Sequence, residues 1–280
     1  MPEITILEKS IDQQALENSI LSIQASLDGF SFCIYDPAKQ VFTGFRKYRI
    51  DSSGQIERLA DKIEEILKED DLLKIPYKEF RFIYFSQKST LIPAAYFDET
   101  KLKTYFEFNH TINELDEIHY NYIRSADAYT VFALPTYIAS VIRFPKISFY
   151  HQSTSFINSI LTNHNGTKEQ VFVNLNGMFF DIAVTDARGL ALYNSFAYQQ
   201  ESDLLYFILY VYNQLGLSWQ NTELILSGEN AKSAGYYSAL KSYITFVKYN
   251  SPDKKLDFIS EFDKLNKYCY LNLFNLVNCG

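Results

Sequence analysis

The chain has few residues that could form a covalent framework. Its 280 residues include only 3 cysteines, 10 glycines and 7 prolines. The three cysteines, Cys33, Cys269 and Cys279, are too few and too scattered for a disulfide framework, and no pair has the spacing of zinc ligands. We therefore expect them to be apolar fillers of a core.

The four histidines also lack the pattern of a metal site, because none forms a pair four residues apart with an acidic residue between. These histidines are His110, His119, His151 and His164. We expect each to be a surface or loop residue, and we predict no metal site. The sequence also contains no Walker loop, no glycine-rich dinucleotide motif after a strand and no nucleophile elbow of a serine hydrolase.

Two further absences argue against membrane and nucleic-acid classes. No run of about eighteen apolar residues occurs, and residues 1–10 mix charged with apolar side chains, unlike a signal peptide. We therefore expect a soluble, cytoplasmic protein without a membrane span. The formal net charge is −7 and the basic residues are dispersed, whereas binding to phosphates needs clustered cations. Nucleic acid is not an expected partner.

The first half of the chain has the pattern of a three-strand meander followed by a helix and a buried strand. Asp28-Gly29 lies between two β-rich runs and predicts a type I′ hairpin turn, whose central residues need positive φ. A helix follows from about Ser52, with apolar residues at helical spacing. The predicted strands are Leu21–Leu27, Phe30–Tyr35, Val41–Ile50 and Phe80–Phe85.

The second half repeats this order, with a predicted turn at Asn176-Gly177 and a helix from about Ser202 to Leu215. Its predicted strands are Gln170–Leu175, Met178–Val184, Leu190–Tyr198 and Thr222–Leu226. The two hairpins can be aligned at an offset of 148 positions. Convergence on hairpin chemistry could produce that match alone, but the shared order of strands and helix favours an internal duplication.

These patterns predict an α/β protein with two lobes, each containing a three-strand meander, helices and a mixed sheet. We predict an N-terminal lobe over residues 1–166 and a C-terminal lobe over residues 167–280. An extra α/β subdomain is expected at about 93–166, with a helix starting at Pro135 and a strand at Lys146–Tyr150. The polar segment 163–167 is the candidate linker.

Three segments resemble the superfamily of actin, sugar kinases and heat-shock chaperone ATPases, which has a duplicated, ribonuclease H-like fold. Phe172–Val184 is similar to the second phosphate-binding hairpin of that superfamily, and Leu224–Asn230 resembles its adenosine-binding strand and turn. Thr130–Pro135 with the helix after it is similar to the pilus-assembly and cell-division actin-like proteins. The chain also resembles an uncharacterised bacterial family with an actin-like ATPase fold.

The resemblance implies a set of candidate nucleotide-binding positions, which are Ser26, Asp28, Gly29, Asn174, Asn176, Gly177, Asp181 and Gly228. Asp181 is the candidate catalytic residue. The family's acidic position on the first strand of the second hairpin holds Asn174, an amide that contributes no charge to offset phosphates. Met178 and Phe179 replace small residues that let a backbone approach a phosphate closely.

The hairpin geometry adds an expectation that does not depend on the resemblance. Side-chain alternation places Phe172, Asn174, Phe179 and Asp181 on one face, with Asn174 across from Phe179. Gln24, Ser26, Ser31 and Cys33 share a face of the first hairpin. Two alternatives remain open: the polar faces line a cleft between the lobes, or they are two half-solvated hairpins.

The sequence therefore predicts a degenerate actin-like ATPase fold that works as a non-catalytic scaffold, binding a protein partner or itself. The alternative is an ATP-binding protein or slow ATPase that holds Mg-ATP in the interlobe cleft. A third hypothesis, a phosphotransferase like the sugar kinases with Asp181 as its catalytic aspartate, ranks last.

Overall fold

The computed structural model describes residues 1–27, 29–164, 166, 168–229 and 234–279. The chain divides into two compact units. The first contains Met1–Ser155, Lys254–Leu265 and a last segment that begins at Asn272. The second contains Phe156–Asp253 and Asn266–Leu271. The lobe boundaries at 166 and 167 stay a prediction.

The first unit is built on a seven-stranded mixed sheet in the order β1-β4-β3-β2-β5-β9, with β15 also paired to β4. Its strands are β1 Ile4–Leu7, β2 Ile20–Ser26, β3 Gly29–Asp36, β4 Val41–Arg49, β5 Glu79–Tyr84, β9 Ile147–His151 and β15 Asp257–Phe258. Strands β2, β3 and β4 form an antiparallel meander, and β5 pairs parallel to β2. The predicted meander, helix and strand are all present. The strands could be predicted because side chains alternate between a buried face and a more polar face of the sheet.

One face of this sheet is covered by helix α2, Ile56–Glu69, whose Leu59, Ala60 and Ile63 are buried. They pack with sheet residues such as Phe32 in one apolar core. A short helix, α1 Gln13–Glu17, precedes β2 and is capped by the Asp12 carboxylate. The helical period of α2 is what made it predictable from sequence.

A three-stranded antiparallel sheet in the order β6-β8-β7 has two of its strands, β7 and β8, within the region 93–166 predicted as an extra subdomain, whereas β6 precedes that region. Its strands are β6 Ser89–Pro93, β7 Asp116–Ile123 and β8 Ala128–Pro135. Helix α3, Leu102–Glu107, packs its Phe106 against this sheet. Helices α4 Thr136–Val141 and α5 Gln152–Thr162 follow β8 and β9 in the chain.

The second unit contains a five-stranded sheet in the order β12-β11-β10-β13-β14. Its strands are β10 Gln170–Asn176, β11 Phe179–Asp186, β12 Gly189–Ala197, β13 Glu223–Gly228 and β14 Val247–Tyr249. The antiparallel meander β10-β11-β12 and the parallel pair β10-β13 repeat the order of β2-β3-β4 and β2-β5. The two sheets thus share a topology, and a common origin by duplication stays a prediction.

Two helices contribute side chains to the core of the second unit. They are α6 Glu201–Gln214 and α7 Ala234–Lys241. Helix α6 buries Leu204, Ile208, Val211 and Tyr212, and its N-terminus has a capping box between Gln200 and Asp203. The C-terminal helix α8, Leu271–Asn275, belongs largely to the first unit, where Leu273 and Phe274 are fully buried. In the described part of the chain, no helix combines the length and apolar character that a bilayer crossing requires.

Candidate functional site

The second hairpin places the predicted polar residues on one face, but with a different register. Asn174 pairs with Asp181 rather than Phe179, because β10 extends to Asn176, which pairs with Phe179. The loop therefore consists of Gly177 and Met178, and Gly177 has φ of +37°. The predicted turn at Asn176-Gly177 was wrong by one residue, while the predicted division into two faces is confirmed by the core, which takes Leu175 and Phe180 from the opposite face.

The first hairpin is displaced from its predicted register by one residue in the opposite direction, toward the N-terminus. Gly29 is the first residue of β3 and pairs with Ser26, so it is not a central turn residue, and its φ is not positive. The type I′ prediction for Gly29 was therefore wrong. The other predicted turn residue, the candidate Asp28, lies outside the described residues. Since Ser26 and Asn176 both close two-residue loops, the hairpins correspond at an offset of 150 positions rather than 148.

Asp181 lies at the centre of the polar face, and it is fully buried. Its Oδ1 accepts hydrogen bonds from Tyr193 Oη at 2.8 Å and Ser195 Oγ at 2.5 Å, and its Oδ2 accepts one from Asn176 Nδ2 at 3.0 Å. Both carboxylate oxygens are thus held by side chains of the second unit. Side-chain donors from β10 and β12 thus fix the orientation of this buried carboxylate.

The candidates Asn174 and Asn176 extend this network along the face. Asn174 Nδ2 donates to Asn176 Oδ1 at 3.0 Å, and Asn174 Oδ1 accepts from Ser227 Oγ at 3.1 Å. Ser227 lies on β13, directly across from Asn174 in the parallel pair. The amide that replaces the expected acidic residue is therefore used to join β10 to β13.

Gly228 has a structural reason to be glycine. It is the last residue of β13, it is buried, and its φ is +96°. A Cβ placed there would lie 2.1 Å from the carbonyl oxygen of Leu175 and 2.6 Å from its nitrogen. The backbone that lies close to this glycine is therefore that of strand β10 in the same unit.

The first hairpin differs at the corresponding positions. Ser26 Oγ donates to the Gly29 carbonyl at 3.4 Å. Gln24, which corresponds to Asn174 at the 150 offset, has a buried Oε1 with no hydrogen-bond partner in the described chain. The two polar faces therefore share a position in the fold but not a hydrogen-bonding pattern.

The described residues contain no group of three or more His, Cys, Asp or Glu side chains that could hold a metal ion. The histidine expectation was wrong for His151, which is fully buried at the end of β9. Its Nε2 lies 3.0 Å from the Ser86 carbonyl and its Nδ1 lies 2.8 Å from Ser153 Oγ. Burial lowers the pKa of His151 to about 3, so the imidazole is neutral.

Sequence reasoning missed Tyr193, Ser195 and Ser227 as parts of this cluster. Tyr193 and Ser195 lie on β12 and reach Asp181 from the neighbouring strand. The sequence of Leu190–Tyr198 does indicate them, because Tyr193 and Ser195 are two positions apart and so lie on one face of the strand. Residues paired across neighbouring strands share a face, which places Tyr193 and Ser195 on the same face as Asp181. That signal could be used only with the correct pairing register.

Comparisons with known proteins agree with this architecture. No curated protein matches the chain. A crystal structure of a Bacteroides thetaiotaomicron protein with an actin-like ATPase fold and unknown function is 25% identical, with a TM-score of 0.82, over 96% of this chain and 99% of that chain. The structure of a PilM–PilN type IV pilus biogenesis complex matches at 7% identity and a TM-score of 0.63, over 94% of this chain and 98% of that chain.

The fold is therefore the mixed α/β, actin-like fold that the resemblance predicted. The likeness to the pilus-biogenesis structure concerns the fold alone. A family model also matches the chain over residues 8–247, which is most of its length. The chain belongs to this family, DUF3822, which is described as a family of proteins of unknown function.

Proposed function

We propose that this protein is a degenerate actin-like ATPase that works as a non-catalytic scaffold or protein-binding module. The observation that carries the proposal is the state of Asp181, the candidate catalytic carboxylate. It is fully buried, and Asn176, Tyr193 and Ser195 donate hydrogen bonds to it. The carboxylate thus joins β11 to one residue of β10 and two residues of β12 within its own unit.

Catalysis of phosphoryl transfer would need a different environment. Magnesium on a triphosphate is bound by carboxylate and water oxygens in near-octahedral geometry, which requires accessible ligands. Losing a positioned acid or base costs about 100- to 10,000-fold in rate. The loop residue Met178 is 66% exposed, so its side chain projects from the place where a phosphate-binding loop presents backbone N–H groups.

Two observations support binding to a protein. The structurally similar pilus-biogenesis protein PilM is found in a complex with PilN, so the fold is compatible with a binding role. On this chain, helix α6 exposes Tyr206 and Tyr210 at 62% and 46%, and exposed aromatic side chains are enriched at protein interfaces.

An experiment with two arms tests the proposal. Thermal unfolding is measured with magnesium alone and with millimolar magnesium-ATP, for the wild type, Asp181→Asn and Asp186→Asn. A ligand at 100 times its dissociation constant raises stability by about 2.7 kcal/mol, and we expect no such change. We expect Asp181→Asn to lose about 2–3 kcal/mol, because an amide nitrogen would face a donor in a buried site.

Asp186→Asn is the matched control on the same strand. Its carboxylate is partly exposed and pairs with Arg188, whose side chain is 91% exposed. It also accepts a hydrogen bond from Arg188 N at 2.7 Å, which an asparagine oxygen can still accept, so we expect a smaller loss of stability than for Asp181→Asn. The alternative, an ATP-binding protein or slow ATPase, is favoured by the unpartnered Gln24 Oε1, since a neutral amide oxygen can bind magnesium or its waters. A melting temperature that rises with magnesium-ATP in the wild type but not in Asp181→Asn would overturn the proposal in favour of that alternative.

A further inference from the structure

Asn176 is followed by a glycine, and this neighbour makes its side-chain amide chemically reactive. In an Asn-Gly sequence the main-chain nitrogen of the glycine can attack the asparagine Cγ, because no Cβ hinders its approach. Only two asparagines of the chain precede a glycine, Asn165 and Asn176. Asn165 lies outside the described residues, so the structure bears on Asn176.

The loop of the second hairpin gives this reaction room. Asn176 ends β10 and pairs with Phe179, so the Gly177 nitrogen belongs to the two-residue loop and not to the strand pairing. The φ of +37° at Gly177 and its place as the first loop residue fit a type II′ turn. Asn176 and Gly177 are half-buried and Met178 is 66% exposed, so water reaches the tip of the hairpin.

One hydrogen bond of the Asn176 side chain favours attack on its Cγ. Its Oδ1 accepts a hydrogen bond from Asn174 Nδ2 at 3.0 Å. Attack on Cγ moves negative charge onto this oxygen, and a donor already aimed at it stabilises the developing oxyanion. Its Nδ2, the nitrogen that leaves, donates to Asp181 Oδ2 at 3.0 Å and to the Asn174 carbonyl at 3.4 Å. Both ends of the amide thus belong to the network around Asp181.

The reaction needs only water. The Gly177 nitrogen gives its proton to solvent and forms a bond to Asn176 Cγ, and the Cγ–Nδ2 bond then breaks as ammonia leaves with a proton from solvent. Water opens the resulting five-membered imide, and the ring nitrogen regains its proton. Opening at Cγ leaves aspartate, whereas opening at the main-chain carbonyl leaves isoaspartate, with the backbone running through the side chain. No electrons are gained or lost, and the loss of ammonia makes the change irreversible.

Asp181 gives the product a structural consequence. A carboxylate at position 176 would place a charged acceptor where Nδ2 now donates to Asp181 Oδ2 at 3.0 Å. Asp181 is fully buried, and two carboxylates that share a site cannot both ionise without a large cost. Asp181 lies on β11 and residue 176 ends β10, so repulsion between them acts on the tip of this hairpin.

We propose that Asn176 is a deamidation site, and that its conversion to a carboxylate breaks the hydrogen bond to Asp181 and opens the tip of the second hairpin. The other hydrogen bonds of Asp181 need not change, because Tyr193 and Ser195 donate to its Oδ1 and not to its Oδ2. Since the change is irreversible, it accumulates with the age of the chain. This inference goes beyond the scaffold function and holds whether or not the chain binds a partner.

The first arm of the test is mass spectrometry of the folded wild type. The chain is incubated for days in mildly alkaline buffer and digested with trypsin, which releases residues 169–188 as one peptide, between Lys168 and the cleavage after Arg188. That peptide also contains Asn174, which no glycine follows and which serves as an internal control. Against an unincubated sample, we expect the mass gain of amide-to-acid conversion at 176, as aspartate and isoaspartate, and none at 174. Asn176→Gln, whose longer side chain closes a ring less readily, should show none.

The same incubation in urea provides a reference without the fold. Conversion of residue 176 in urea but not in the folded chain would show that the hydrogen bonds protect the amide, and it would overturn the proposal. Conversion of Asn174 to the same extent as Asn176 would also overturn it. This arm uses the wild type, so it decides the matter even where a variant fails to fold.

The second arm exchanges the charges of the pair and is measured by urea unfolding. Asn176→Asp imitates the product and is expected to raise the unfolding equilibrium constant at least about tenfold, because two acceptors then face each other in a buried site. Asn176→Asp combined with Asp181→Asn restores a donor between the two positions, and the new amide oxygen can still accept from Tyr193 and Ser195. We expect the double variant to recover most of the loss. An Asn176→Asp chain as stable as the wild type, or a double variant no more stable than Asn176→Asp alone, would overturn the structural effect assigned to Asp181.

Discussion

Replacement of Gly228 by alanine tests whether this glycine of the candidate nucleotide turn is required by the fold itself. Gly228 has φ of +96°, and a Cβ there would lie 2.1 Å from the Leu175 carbonyl oxygen. The neighbouring atoms are backbone atoms of β10, paired on its other side with β11, so they cannot move away as a flexible side chain would. Alanine must therefore displace β13 from β10.

The size of the effect follows from two contributions. Holding a non-glycine residue in this backbone region costs about 1–3 kcal/mol. Overpacking against a fixed neighbour costs about 1–3 kcal/mol more. Gly189 provides the matched control in the same unit, because its φ is +115° but a Cβ there would meet no atom within 4 Å. Gly189→Ala should show the first contribution alone.

Urea unfolding followed by tryptophan fluorescence is the appropriate assay. The single tryptophan, Trp219, stacks on Tyr212 at 4.9 Å in the second unit, so its emission reports on the unit that contains both glycines. We expect Gly228→Ala to be at least about 1 kcal/mol less stable than Gly189→Ala, the lower limit of the overpacking contribution. Equal unfolding free energies for the two variants would refute the steric argument. A bound ligand would then be the remaining explanation for glycine at position 228.

Two further predictions concern the first unit. The pKa of His151 falls from 6.5 to about 3 on burial, so only the unfolded chain takes up a proton between these values. Acidification from about pH 7 to about pH 5 should therefore cost about 2 kcal/mol of stability in urea unfolding, and His151→Gln should lose this dependence, whereas an unchanged slope contradicts it. Arg81 donates through Nη1 to the carbonyls of Leu276 at 2.6 Å and Cys279 at 2.7 Å. Arg81→Met should cost about 2–4 kcal/mol and speed hydrogen exchange in the C-terminal segment, with the exposed Arg188→Met as control; equal exchange in the two variants contradicts the contact.

The topology could be predicted because its signals are local. Each meander strand begins and ends within about two residues of its prediction, as for Leu21–Leu27 against the observed Ile20–Ser26. Alternating apolar residues define the strands, and the helical period defines α2. The faces of both hairpins were predictable for the same reason, since side chains alternate whatever the pairing partner.

The register was not predictable from turn propensity. Asn-Gly and Asp-Gly are strong turn signals, yet both turns lie one residue away from the predicted position. In the second hairpin, Asn176 stays in the strand because its side chain donates to Asp181. That hydrogen bond joins residues of different strands, so its contribution appears only when the sheet is assembled. The same one-residue change moved Asp181, rather than Phe179, opposite Asn174.

Strand β1 was missed for a related reason. It has four residues, Ile4–Leu7, which is too short for alternation to be distinct, and it pairs with residues 44–47, about forty positions away. Its contribution to the fold is the closure of an edge, which local sequence does not encode. Strand β15, Asp257–Phe258, closes the rest of that edge from the other end of the chain.

The coverage of each sheet edge decides what kind of assembly the chain can form. Among the described residues, the first sheet ends at β9, of five residues, and at the edge closed by β1 and β15, while the second ends at β14, of three residues, and at β12, of nine. Short edge strands are poor templates for pairing. Strand β7, of eight residues, also ends its sheet and in the described chain pairs with β8 alone, but it carries Asp116 and Glu117, and charged residues on an edge strand discourage pairing. Among the edge strands of the described residues, β12 is therefore the longest that carries no charged residue.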